Sequence, residues 1–96
     1  MRADYDTSAN AISIALTDAR NAEHSDEVHP RAIVAVAASK PVEVQLLYPD
    51  LGLTEPLTAV AERYGLDVQA LQAAAQSALA APDRVVSVEV AAKSAA

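Results

Sequence analysis

With 96 residues the chain is one domain long, and its 52 % apolar content allows a single modest core. The absence of cysteine excludes disulfides, thiolate metal sites and thiol nucleophiles, and glycine at positions 52 and 65 alone is too little for a phosphate-cradling loop. A formal net charge of −6 repels nucleic-acid backbones; it serves solubility and is compatible with a basic protein partner.

The texture of the apolar fraction is unusual. Alanine dominates, Phe and Trp are absent, and the aromatics are Tyr5, Tyr48 and Tyr64. Small side chains bury little area each, so the sequence predicts modest stability or support from a partner subunit. Acidic residues crowd the first 30 positions, where Asp4, Asp6, Asp18, Glu23, Asp26 and Glu27 face only Arg2 and Arg20. Met1 to Asp4 lead into polar residues and not into an apolar signal core. The longest uncharged run, Val68 to Pro82, is too short and too rich in Gln to cross a bilayer. The expected setting is the cytoplasm, without membrane contact.

Arg2 to Asp6 reads as a first strand and Thr7 to Asn10 as a turn. Ala11 to Thr17 alternates, with Ile12, Ile14 and Leu16 opposite Ser13, Ala15 and Thr17, as in a half-buried strand of a hairpin. Asp18 to Pro30 is polar without helical period, a loop with room for an edge strand around Glu27 to His29. Ala32 to Ala37 is a continuous apolar run, predicted as a central strand covered on both faces. After a turn at Ser39 to Pro41, Val42 to Tyr48 alternates again.

Thr54 is placed as an N-cap, and Leu57, Val60, Ala61 and Tyr64 form one helical stripe that Gly65 stops. Asp67 caps a second helix, with Leu66 and Leu71 placed as a hydrophobic staple. Its apolar side is Val68, Leu71, Ala75, Ala78 and Leu79; its polar side is Gln69, Gln72 and Gln76. Arg84 to Val90 reads as a last strand and 91–96 as a tail. The prediction is a single α+β domain over 1–96. Its antiparallel sheet of four to five strands, mostly within the β-rich half 1–48, carries a two-helix hairpin, 54–81, on one face.

Candidate chemistry is sparse. His24 and His29 lie near Glu23, Asp26 and Glu27, but a polar loop offers no frame to converge ligands on a metal. Asp4 and Asp6 share one side of a strand without a companion His, Lys or Tyr cluster, so Asp6 is expected to cap the Thr7–Asn10 turn. No Ser or Thr sits in a nucleophile-elbow context. No residue is assigned a catalytic, metal or cofactor role, and an enzyme is not expected. Ala61, Gly65, Leu66 and Leu71 fall where a helix-turn-helix places its packing and turn residues. In that alternative, a transcriptional regulator would read DNA through Gln69, Gln72 and Gln76, but no Lys or Arg lies between Arg63 and Arg84 to hold phosphates.

Tyr5-Asp6, the spacer Ala9-Asn10-Ala11 and the strand Ile12 to Leu16, with Pro41 to Leu47 as a closing strand, resemble the bacterial family catalogued as domain of unknown function 2283 over residues 2–48. The helical hairpin and final strand are additions to that pattern, and Ala38 to Pro41 stand where the family has an acidic, glycine-containing turn. Some members of that family resemble antitoxins encoded beside small toxins, and the resemblance implies no catalytic residue. The resulting expectation is a non-enzymatic, antitoxin-like interaction module. It would pair with itself or with a small basic protein, through Ile33, Leu47 and Val85 on the second sheet face.

Overall fold

The computed structural model describes residues 1–18 and 21–88. The described strands are β1 (Arg2–Asp6), β2 (Ala11–Ala15), β3 (His24–His29), β4 (Ala32–Ala37), β5 (Lys40–Leu47) and β6 (Val85–Ser87). The helices are α1 (Thr54–Tyr64) and α2 (Val68–Ala80), preceded by a short 3-10 turn at Pro49–Leu51. The strands form one antiparallel sheet in the order β3-β4-β5-β2-β1-β6. That is one strand more than the largest expected number, because the polar 24–29 segment pairs with β4 at the sheet edge. An edge strand made of His24, Ser25, Asp26, Glu27, Val28 and His29, with a register shift between Glu27 and His29, resists pairing with another chain.

Strand alternation decides what is buried. Ala3, Ile12, Ile14, Ala32, Val34, Val36, Val44 and Leu46 pack beneath the helices. From above, α1 contributes Leu57, Val60 and Ala61, and α2 contributes Leu71, Ala74, Ala75 and Ala78. α1 lies over β3, β4 and β5, while α2 lies over β1, β2 and β6. Ala74, Ala75 and Ala78 of α2 are fully buried against the sheet. Each fully buried Leu or Ile in the core contributes roughly 1.5–3 kcal/mol.

The helix ends follow their sequence signals in two places and depart from them in one. Gly65 stops α1 at φ 65°, and its N–H donates to the Ala61 carbonyl. The Asp67 carboxylate accepts from the N–H groups of Gln69 and Ala70 and so caps α2. Thr54, expected as the cap of α1, is instead its first helical residue. The N-cap is Leu53, with no side-chain hydrogen bond.

Three further expectations are corrected. β4 is covered on one face only: Ala32, Val34 and Val36 are buried, whereas Ile33, Ala35 and Ala37 are half-buried on the other side. β5 begins at Lys40 and ends at Leu47, because Tyr48 turns into the left-handed region at φ 49° and leaves the strand. The register shift at Ala35/Val36 absorbs Pro41, whose missing N–H would otherwise interrupt a central ladder. β2 stops at Ala15, two residues before its expected end. Of the expected last strand, Val85–Ser87 pairs with β1; Glu89, Val90 and the tail 91–96 lie outside the described residues.

Candidate functional site

Because both helices lie on one face, the opposite face of the sheet is uncovered. Register lays its side chains out as two rows across all six strands. One row runs Ser25, Ala35, Glu43, Ala15, Arg2, Ser87. The next runs Glu27, Ile33, Gln45, Ser13, Asp4, Val85. Small residues at the centre and longer ones around them create a depression of about 440 Å³, lined by Arg2, Asp4, Ser13, Ala15, Ala35 and Glu43 among others. Asp18 forms part of its wall and pairs with Arg2 at 3.1 Å. The carboxylates of Asp4 and Glu43 make no ion pair or hydrogen bond with another described residue.

The apolar residues expected on this face are present but not together. Ile33 lies opposite Gln45, which places it diagonally beside Leu47; both are half-buried. Val85 is 68 % exposed and lies four strands away, on β6. At about 4.8 Å per strand that separation is about 19 Å. The face therefore has an apolar corner at Ile33 and Leu47 and a polar, acidic centre.

A second group of side chains gathers where β4 and β5 meet the start of α1. The Arg31 Nη1 donates to the carbonyls of Tyr48 at 2.9 Å and Gly52 at 3.0 Å, clamping the 3-10 turn. The Arg31 N–H donates to Nδ1 of His29 at 3.0 Å, so the ring proton of a neutral His29 belongs on Nε2, which faces Glu55 Oε1 at 3.0 Å. Asn10 accepts from the Tyr5 hydroxyl and donates to Asp50, and its carbonyl takes the Tyr48 N–H. These bonds hold Tyr48 and Leu51 outward as exposed apolar side chains.

His24 and His29 stand at opposite ends of β3, and His29 is engaged by Glu55 and the Arg31 backbone. Asp6 caps the turn as expected, its Oδ1 accepting from Ser8 N–H at 3.0 Å and Ala9 N–H at 3.3 Å. Asp4 instead faces the depression. On α2, Gln69 and Gln76 are exposed, while Gln72 donates to the Thr54 hydroxyl at 3.4 Å. α2 contains no basic residue, and Arg63 at the end of α1 is engaged by Asp26 at 3.3 Å.

The fold moves the protonation equilibria of Tyr64 and Asp83, and neither residue lines the depression. Burial first, and then the Asp26 carboxylate that accepts its hydroxyl at 2.7 Å, push the Tyr64 phenol above the ordinary tyrosine value. The Thr7 N–H first, and then the Thr7 hydroxyl, hold the Asp83 carboxyl below the usual range.

The polar half of the uncovered face was legible as Ser13, Ala15, Glu43 and Gln45 in alternating strands. Arg2 and Asp4 join it only because β1 is hydrogen-bonded beside β2, and Ala35 only because β4 is beside β5. No family model, curated protein or solved structure matches the chain. No helix among the described residues is long and apolar enough to cross a membrane.

Proposed function

We propose that this protein is a small non-enzymatic, antitoxin-like interaction module that works through the uncovered face of its sheet, in the cytoplasm, with itself or a small basic protein as partner. The observation that carries the reading is the one-sided helix layer. An antiparallel sheet commonly leaves one face to solvent, but here that face holds the half-buried Ile33 and Leu47 beside a shallow acidic hollow. The likeness of residues 2–48 to domain of unknown function 2283 supports the same reading.

The test is co-purification of the tagged full chain from its native host, together with light scattering of the purified protein. The expected result is a stoichiometric partner or a dimer. Ser13→Arg, at the centre of the face, abolishes the association; Gln76→Arg, on the exposed side of α2, leaves it intact. A monomer without a stoichiometric partner overturns the proposal.

A further inference from the structure

The chemistry of the uncovered face narrows its occupant, on the reading just given. Among the described residues its lining carries the acids Asp4, Glu43 and Asp18 and the cation Arg2, which Asp18 engages at 3.1 Å. Glu27 and Asp6 add two more acids on the same side of β3 and β1. A second copy docked by a twofold axis would set this surface against itself, since an isologous contact pairs a patch with its own copy. Two copies of a patch with this excess of acid repel each other. The same charges attract a cationic partner.

The shape agrees with the charge. Ser13, Ala15 and Ala35 are the small residues that leave the hollow open, and its volume of about 440 Å³ can admit one long side chain with its flanking backbone. Lys and Arg combine an apolar stem with a charged head. Such a stem rests on Ala15 and Ala35, and its head comes within reach of the carboxylates of Asp4 and Glu43, which engage no other described residue. We infer that the face docks a basic segment of a different protein, with a Lys or Arg side chain seated between Asp4 and Glu43.

The test is a nuclear magnetic resonance titration of the isotopically labelled full chain with two capped peptides, acetyl-Lys-Ala-Lys-Ala-Lys-amide and its Glu counterpart. The lysine peptide is expected to shift the amides of Arg2 to Asp4, Ser13 to Ala15 and Glu43 to Gln45, and to leave those of α1 and α2 in place. Asp4→Asn combined with Glu43→Gln weakens that response about five- to twentyfold, from two partly exposed charge pairs. Asp4→Lys with Glu43→Lys transfers the preference to the glutamate peptide, a gain that a merely damaged fold would not produce. Shifts scattered over the whole surface, or an unchanged response in the neutralised variant, overturn the basic occupant. If Ser13→Arg still blocks co-purification in that event, the interaction reading survives and only the partner class falls.

Discussion

Asp83 takes the Thr7 N–H at 3.0 Å and the Thr7 hydroxyl at 2.8 Å, and its own N–H donates to the Tyr5 carbonyl at 2.8 Å. One side chain thus ties the turn after β1 to the approach of β6. Its folded pKa lies below the unfolded value of about 3.9, so the contribution is complete above that value and fades as pH falls through the lower folded one. Urea midpoints of wild type and Asp83→Asn are expected to differ at about pH 6 and to draw together as pH falls below the ordinary aspartate range. The turn between β4 and β5 is a different case. Ala38 and Ser39 both hold positive φ, at 52° and 64°, as a two-residue hairpin turn of the primed type demands. Neither residue favours that region, which costs roughly 1–2 kcal/mol for a residue with a Cβ. Ala38→Asn with Ser39→Gly is expected to raise stability by about 1–2 kcal/mol in chemical denaturation, leaving the sheet unchanged.

Each helix meets the sheet in its own way. α1 drives Leu57 and Val60 fully into the core, so Leu57→Ala leaves a cavity and should cost about 2–5 kcal/mol. α2 lies on the sheet through Ala74, Ala75 and Ala78, all without exposed surface. Enlarging Ala75 to Leu forces the helix outward and should cost about 1–3 kcal/mol, although Leu is a good helix former. Calorimetry or urea titration of the two variants checks both, and an Ala75→Leu protein as stable as wild type would contradict the tight seating of α2. Between the helices and the edge strand, Tyr64 and Arg63 both reach Asp26, so α1 holds β3 by its last turn.

At the level of the whole molecule the burial of Tyr64, and then its bond to Asp26, give an alkaline limit. A phenol whose folded pKa is raised stabilises the fold in full below the unfolded value of about 10, and loses that contribution as pH climbs through the folded value. Ultraviolet titration should place the ionisation of Tyr64 above the ordinary tyrosine value. Tyr64→Phe should remove that ionisation and flatten the stability profile above about pH 10. The strand order also places first and last described strands side by side, with Val88 N–H on the Met1 carbonyl at 2.8 Å. Such contacts between distant parts of the chain close late and slow folding.

What the sequence determined by itself is local. The alternation in 11–15 and 42–47, the stop at Gly65, the cap at Asp67 and the one-sided stripes of both helices depend on neighbours within a few residues. Hydrogen-bonding reach and side-chain period set them before any tertiary contact forms. The 24–29 strand showed in the sequence only as room for an edge strand around Glu27 to His29, because an edge position wants polar residues, which erase the alternating signal. Thr54 had the right chemistry for a cap, but the chain entered the helix one residue earlier. Only the tertiary structure decided that β2 lies beside β5 and β6 beside β1, because ladder pairing between distant segments leaves no mark on local periodicity. That order, together with the placement of both helices on one side, uncovers the face of β4 and assembles Arg2, Asp4, Ser13, Ala15, Ala35 and Glu43 around one hollow.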